Sequence, residues 1–263
     1  MNKTLKFFLY LIAFAALTIL TQIGGIALIM GIIACRYLKF SYNIFVLTIT
    51  AYLILTFIAV PHIAPIFGRE RVKNTNNIRP TNLITILLNR NYVNPQLNEL
   101  LQQTANKLPS EFELRYLDAN FPFIDKFPLL PHLSHNDGKK IDISLVYQSS
   151  DGSLTNLKPS RSGYGVFVEP TSLEFNQTNE CKKMGYFQYD FPKYLTLGTI
   201  NSDIGFSSEN TRILIQTLLS FEGIEKMFVE KHLVQRMNLK DSRIRFQGCQ
   251  AVRHDDHLHV QVK

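Results

Sequence analysis

Acidic residues are missing from the beginning of this sequence, since the first 66 of its 263 residues contain no Asp or Glu. Four of the 28 Lys and Arg residues lie there, which leaves 24 basic residues against 21 acidic ones in the remainder. A stripe of basic residues interleaved with aromatic ones is missing as well. The overall net charge of +7 therefore gives no reason to expect a nucleic-acid partner.

Cysteine is scarce, and the three cysteines have neither the CxxC spacing nor any other spacing typical of a metal site. This argues against a zinc site built from cysteines. Cys35 ends an apolar run, whereas Cys181 and Cys249 lie in the polar part of the chain. The latter two could form a disulfide if this part faces an oxidising compartment.

Long apolar runs are confined to the N-terminal quarter of the chain. No charged residue interrupts Phe7–Cys35 or Ile44–Phe67, and a helix of about 20 apolar residues is enough to cross a bilayer. The first run is longer than the apolar core of a signal peptide, which has about 7–15 residues. We therefore expect a two-helix transmembrane hairpin over 1–67, with the short linker 36–43 inside it. Alternatives are one span followed by a buried or interfacial helix, or a division of the first run at Gly24-Gly25.

The polar part is expected to have two segments, 68–110 and 111–263. The first begins with the charged, Asn-rich stretch 68–80, which is typical of a linker, and leucines at helical spacing then predict a helix over Gln96–Lys107. In the second, polar and apolar residues alternate over 141–147, which predicts a half-buried strand. Because helices and antiparallel strands follow one another in mixed order, we expect an α+β domain.

Five of the seven histidines fall in two short stretches, HLSHNDGKKIDI at 132–143 and HDDHLHV at 254–260. Alternate residues of a strand share a face, so His257 and His259 would project on one side and Leu258 into a core. Such a pair can bind a metal, or supply one ligand and one catalytic imidazole.

The first stretch offers the other half of a site. Gly138 permits a tight turn after His135, and the turn could bring Asp142 back beside that histidine. A His, an Asp and a distant His would make three ligands and leave a fourth position open, which is the arrangement of a catalytic zinc rather than a structural one. The alternative is a set of scattered surface histidines with one capping aspartate.

The patterns H-x-S-H-x-x-G-x-x-x-D-I and H-D-D-H-x-H-V resemble the penicillin-insensitive murein endopeptidases, in the wider group of lysostaphin-like, D-Ala-D-Ala-peptidase and hedgehog-type zinc proteins. The resemblance covers roughly Pro131 to the C-terminus and excludes the apolar hairpin. It implies an antiparallel-sheet zinc peptidase domain over 111–263. It also implies that Zn²⁺ is held by His135, Asp142 and His259.

The resemblance further implies that His257 is the catalytic imidazole, accepting a proton near neutral pH from a water acidified by zinc. His132 and His254 would line the site. Asp256 occupies the position of a catalytic Glu in carboxypeptidase relatives. On a strand it would point away from the metal, so we expect His257 to be the base and Asp256 a possible acceptor that fixes a histidine tautomer.

Other polar and aromatic residues are expected outside the site. His232 is predicted on the solvated surface of a helix. Tyr116, Asn120 and Tyr164 could line a groove, but aromatic residues in such number are more often part of a core.

The implied function is that of a membrane-anchored, zinc-dependent peptidase that hydrolyses peptide cross-links in peptidoglycan. One alternative is a D,D-carboxypeptidase or dipeptidase of the same fold. Another is a non-catalytic zinc-binding module, but metal binding alone would not require His132, His254 and His257.

Two arguments about membrane orientation conflict. A two-helix hairpin would place five basic residues on the side of the polar domain and two in the linker, and an excess of Lys and Arg usually marks the cytoplasmic side. The residues concerned are Lys3, Lys6, Arg69, Arg71 and Lys73 against Arg36 and Lys39. Peptidoglycan lies outside the inner membrane, however. We therefore expect an inner-membrane protein with its domain in the periplasm.

Overall fold

The computed structural model describes residues 2–37 and 43–263, and these form two compact units. Each unit contains residues from more than one of the three segments 1–67, 68–110 and 111–263 that the sequence suggests. The first unit consists of Met1–Val72, Ile84–Pro95 and Ala119–Gly138. The second consists of Lys73–Leu83, Gln96–Asp118 and Lys139–Lys263.

Helices and strands are numbered in chain order. The α-helices are α1 (Lys3–Thr21), α2 (Gly24–Tyr37), α3 (Ile44–Ile54), α4 (Val60–Ile63), α5 (Leu83–Leu87), α6 (Pro95–Lys107), α7 (Gln177–Lys183), α8 (Ser208–Leu219) and α9 (Lys231–Arg236). The strands are β1 (Glu70–Arg71), β2 (Ile78–Pro80), β3 (Tyr92–Val93), β4 (Leu114–Tyr116), β5 (Lys140–Ser144), β6 (Tyr147–Gln148), β7 (Leu154–Thr155), β8 (Gly205–Phe206), β9 (Ile224–Phe228), β10 (Ile244–Arg245) and β11 (His257–Val262).

The first apolar run forms two helices, so the single span expected over Phe7–Cys35 is wrong. The α1 helix ends at Thr21, and Gln22 has a φ of 68°. A positive φ is uncommon for a residue other than glycine and takes the chain out of the helical path. A Cβ atom on Gly24 would lie 2.8 Å from the Cβ of Leu17, so α2 packs side by side with α1.

The second apolar run stays helical from Ile44 to Phe67. It continues from α3 through a π-helical turn, Leu55–Ala59, into α4 and a final 3-10 turn, Ala64–Phe67. Prolines at 61 and 65 lack the N–H group of a regular helix, which accounts for these changes. Among the described residues, two helices are long and apolar enough to cross a membrane, Lys3–Thr21 and Ile44–Phe67. Part of the expected linker 36–43, residues 38–42, lies outside the described residues.

The second unit is built on a six-stranded sheet in the order β10-β9-β11-β5-β4-β2. The β11 strand lies between β5 and β9 and is antiparallel to both. The outer pairs β10–β9 and β2–β4 are parallel. The domain therefore combines helices with a mixed sheet, which confirms the α+β class, and its centre is antiparallel.

Two expectations for local structure are wrong. The stretch 68–80 is not a linker, because β1 pairs with β3 in the first unit and β2 pairs with β4 in the second. The strand expected at 141–147 ends at Ser144, and all five residues of β5 are buried. Its polar residue Asp142 faces histidine side chains rather than water, which the alternation alone could not distinguish. The helix expected over Gln96–Lys107 is confirmed as α6.

Cys181 and Cys249 are joined by a disulfide in the second unit, and Cys35 is not part of one. Breaking this bond is expected to lower the free energy of unfolding by about 4 kcal/mol, because it closes a loop of 68 residues. Thermal denaturation of the full chain in detergent, for Cys249→Ser beside Cys35→Ser as the matched control, measures the effect. Equal midpoints for the two variants would contradict this prediction.

Candidate metal centre

Two neighbouring strands of the second unit bring Asp142 and His259 together. They are directly opposite each other in the antiparallel register of β5 and β11, so both side chains project from the same face of the sheet. The Nδ1 atom of His259 lies 3.0 Å from Oδ1 of Asp142. Both residues are buried, so water does not separate or screen them.

His257 lies on the same face of β11, two residues before His259. Its Nε2 atom is 3.6 Å from Oδ2 of Asp142. On the opposite edge of the ring, Nδ1 is 2.5 Å from Oδ1 of Asp256. The other oxygen of Asp256 accepts a hydrogen bond of 2.6 Å from the backbone N–H of Gly165. Asp256 thus faces away from Asp142 and holds the His257 ring in one orientation.

The charges around His257 determine its protonation. Burial alone lowers the pKa of His257, but the carboxylates of Asp142 and Asp256 oppose burial and raise the pKa to about 9. A charged imidazole is stabilised here because two acidic groups lie on opposite edges of the same ring.

His254 completes a group of three imidazoles in the second unit. Its ring centroid lies 4.7 Å from that of His257 and 5.8 Å from that of His259. Burial, followed by the charges of these two histidines, lowers the pKa of His254 well below its usual range. Its Nδ1 atom lies 2.8 Å from the carbonyl oxygen of Val252, which can only accept, so Nδ1 carries the proton of the neutral ring.

His132 and His135 lie in a loop of the first unit, with ring centroids 5.4 Å apart. His135 is fully buried, and its Nδ1 atom lies 2.8 Å from the carbonyl oxygen of Ala119. The carbonyl fixes the proton on Nδ1, so the lone pair is on Nε2. Metal-binding histidines commonly have this arrangement, in which the second nitrogen donates to an oxygen of the protein.

Arg69 holds this loop from within the first unit. Its side chain is 2% exposed and donates to the carbonyl oxygens of Phe121 and Asn136 and to the carboxylate of Asp125. These three acceptors come before and after His132 in the loop 119–138. A single guanidinium thus fixes both arms of the loop that carries the two histidines.

Three of these residues could hold a metal ion. The ligand atoms of His132, His135 and Asp142 all lie within 4.8 Å of one another. Two residues of this group, His135 and Asp142, belong to the ligand set expected from the sequence. The third expected ligand, His259, contacts Asp142 as described above.

Tyr164 is a site residue that the sequence reasoning placed in the core. Its hydroxyl group donates to Oδ2 of Asp142 at 2.9 Å and accepts from the backbone N–H of Asp118 at 3.0 Å. Its ring also packs edge-on against His257, with centroids 5.1 Å apart. The position of Tyr164 in a Gly-Tyr-Gly sequence carried no signal for this role, because the contact depends on the tertiary fold.

The remaining residues considered from the sequence are buried. Tyr116 and Asn120 are fully buried, as expected of a core. His232 lies on α9 but is only 2% exposed, so its expected solvated position is wrong. Its Nε2 atom lies 2.7 Å from the carbonyl oxygen of Val168, and this bond compensates for the lost hydration of the ring.

Replacing Tyr164 by Phe is expected to weaken metal binding by about 10–100-fold, the usual cost of losing a group that orients a ligand. The hydroxyl group fixes one oxygen of Asp142, and its loss leaves that carboxylate free to turn. Titration of the full chain with zinc in detergent measures the change. Tyr194→Phe, at a residue that is 72% exposed, is the matched control. Equal affinities for the two variants would show that Asp142 is positioned without Tyr164.

No protein-family model matches the chain, and a search of curated proteins gave no match.

Proposed function

We propose that this protein is a membrane-anchored zinc peptidase that hydrolyses peptide cross-links in peptidoglycan. The observation that carries the proposal is the position of His257, which lies between Asp142 on one edge of its ring and Asp256 on the other. A metal-binding module needs ligands but no oriented imidazole beside them. A hydrolase needs both.

The proposed zinc ligands are His135, Asp142 and His259. Two ligands of a tetrahedral zinc ion lie about 3.3 Å apart when the bonds are about 2.0–2.1 Å long. The 3.0 Å between Nδ1 of His259 and Oδ1 of Asp142 is close to that separation. Nitrogen and carboxylate donors with an open fourth position suit catalytic zinc. When bound, zinc would acidify a water molecule and polarise the carbonyl group under attack.

His257 is the proposed general base. Asp256 holds the proton on Nδ1 of this imidazole, so Nε2, on the side of Asp142, can take up a proton and later return it to the leaving amine. Use of Asp142 as a metal ligand would neutralise one of the carboxylates that raise the pKa of His257. Its pKa would then move towards the range in which a base works at neutral pH.

His254 and His132 are proposed to line the site. His254 is neutral at pH 7 and lies against His257, so it can orient a polar group of the substrate without adding charge. His132 is partly exposed and lies beside His135, where it can contact the peptide.

The choice of peptidoglycan as substrate rests on the two histidine motifs and their resemblance to murein endopeptidases. The same resemblance supports the finer fold assignment, a zinc peptidase domain of the hedgehog and D-Ala-D-Ala-peptidase type. The apolar helices Lys3–Thr21 and Ile44–Phe67 support an anchor in the inner membrane. Cross-linked peptidoglycan is found on its periplasmic side, and the Cys181–Cys249 disulfide is compatible with that compartment.

A digest of intact peptidoglycan by the full chain in detergent tests the proposal. The zinc-loaded protein is expected to convert cross-linked dimers into monomers, and protein stripped with a chelator is expected to regain activity when zinc is added back. Release of a terminal residue with the dimers intact would indicate the D,D-carboxypeptidase alternative. Stoichiometric zinc without any product would indicate a non-catalytic module and refute the proposal.

A further inference from the structure

The three N-terminal helices expose large apolar side chains on their outer faces. Ile12 on α1 is 65% exposed, Ile33 on α2 is 50% exposed and Phe45 on α3 is 67% exposed. Apolar surface of this extent, on three consecutive helices, marks contact with lipid or with another protein. The described residues of α2 include a single charged residue, Arg36, in the last turn.

The packing between these helices is close. Small residues form the interface, since Ala27 is fully buried and a Cβ on Gly31 would lie 2.8 Å from the backbone nitrogen of Thr48 in α3. Small residues at helix contacts are typical of membrane bundles, because they let two backbones approach. The α2 helix is therefore the middle member of a bundle, with α1 on one side and α3 on another.

One end of this bundle meets the histidine-bearing part of the first unit. Ile23, between α1 and α2, is buried in a cluster with Val60, Ala64 and Tyr92, and Phe123 packs against it. The side-chain oxygen of Gln22 accepts a hydrogen bond of 2.9 Å from the backbone N–H of Phe123. The turn between α1 and α2 and the end of the third helical segment thus lie at the same end, beside the loop 119–138.

The other end of the bundle follows from the helical rise of about 1.5 Å per residue. Lys3 lies about 27 Å from Thr21 along α1, and Arg36 lies about 18 Å from Gly24 along α2. Ile44, where α3 begins, is about 24 Å from the level of Val60. Lys3 and Lys6 on α1, Arg36 on α2 and the start of α3 at Ile44 therefore all lie at this far end.

We infer that the N-terminal region crosses the membrane three times, with its four basic residues on the cytoplasmic face and the loop 119–138 on the opposite face. The bilayer core is about 30 Å thick, and helices somewhat shorter than this are accommodated by local thinning and by Lys and Arg side chains that extend to the interface. The α2 helix has 14 residues and is about 21 Å long. It is shorter than the two candidate spans, so it returns the chain only where the bilayer thins locally around it.

Three crossings remove the conflict between charge and function. Lys3, Lys6, Arg36 and Lys39 are then on one side, and the turn at Gln22 and Ile23 on the other side carries no charge. The basic residues after Phe67 belong to a long domain, and such domains cross the membrane largely regardless of charge. Charge and the position of peptidoglycan now favour the same orientation. The inference does not depend on whether the chain hydrolyses anything.

Labelling of single cysteines tests the number of crossings. In the full chain with Cys35→Ser, one cysteine is placed ahead of Met1, at Tyr37, which is 76% exposed, or after Lys263. Spheroplasts of a bacterial host are treated with a maleimide that cannot cross membranes, under conditions that leave the Cys181–Cys249 disulfide intact. We expect the C-terminal cysteine to react at once, and the other two only after the membrane is permeabilised.

Each other result would overturn the inference. Reaction of the N-terminal and C-terminal cysteines from the same side would show a hairpin with two crossings. If Tyr37→Cys reacted before permeabilisation, together with the C-terminal cysteine, both ends of α2 would lie on the same side and α2 would not cross the membrane. If the N-terminal and Tyr37 cysteines reacted at once and the C-terminal cysteine only after permeabilisation, the three crossings would have the opposite orientation. The midpoint of thermal denaturation of each variant in detergent, compared with that of Cys35→Ser alone, shows whether the labelled protein is folded and keeps this result separate from the tests of zinc binding and peptidase activity.

Discussion

Replacing Asp142 by Ala is expected to abolish metal binding and peptidoglycan cleavage together. Loss of a residue that only orients a ligand costs about 10–100-fold in metal affinity, so loss of a direct ligand should cost at least about 100-fold. Asp142 also contacts His259, His257 and Tyr164, so its loss removes a partner from three side chains of the site at once.

The experiment compares the zinc content of purified full-length variants. Asp151→Ala, in an exposed turn, is the matched control and is expected to keep full occupancy. His259→Ala should lose zinc as Asp142→Ala does, whereas His132→Ala should keep it, because His132 is proposed to line the site. Full occupancy of a variant that lacks His135, Asp142 and His259 together would refute the ligand set. Loss of zinc in His132→Ala with retention in His259→Ala would exchange the roles of these two residues.

Replacing His257 by Ala is expected to leave zinc bound and to reduce turnover by about 10²–10⁴-fold, the usual contribution of a general acid or base. The imidazole lies beside Asp142 but is not among the proposed ligands. Asp256→Asn should reduce turnover less, because the imidazole that accepts the proton is still present, although the amide no longer stabilises its charged form.

Turnover and zinc content must be measured on the same preparations, because a general base is identified only when turnover falls and zinc content does not. His62→Ala replaces an exposed histidine of the apolar region and is the matched control, with both quantities unchanged. An inactive Asp256→Asn variant beside an active His257→Ala variant would assign the base to Asp256. Loss of zinc from His257→Ala would instead make His257 a ligand.

The histidine motifs allowed much of the site in the second unit to be anticipated, because its geometry is local. On one strand, residues two apart must share a face, and so the positions of His257 and His259 follow from their spacing. That Asp142 pairs with His259 could not be derived from spacing. It depends on the register of β5 against β11, which tertiary packing fixes.

The apolar region shows the opposite case. Apolar composition indicates a membrane segment but says little about where a helix ends. The α1 helix ends at Gln22, which has a positive φ, and glutamine is not a residue that marks a helix end in a sequence. The sequence likewise gave no sign that loop 119–138 belongs with the N-terminal helices. That association rests on Arg69 and Gln22, two polar side chains that donate to or accept from the backbone of the loop.

The buried guanidinium of Arg69 limits the distance between the apolar helices and the histidine-bearing loop of the proposed enzyme. Gly68 is the one residue between the last helical turn and Arg69, whose side chain is already fixed to Phe121 and Asn136. In the part of the chain that the structure describes, a single residue therefore separates the apolar helices from the side chain that holds the histidine-bearing loop. A hydrolase attached in this way would cut only peptidoglycan close to the membrane, and a fragment released from the membrane without Arg69 would lose this support of the loop that carries His132 and His135.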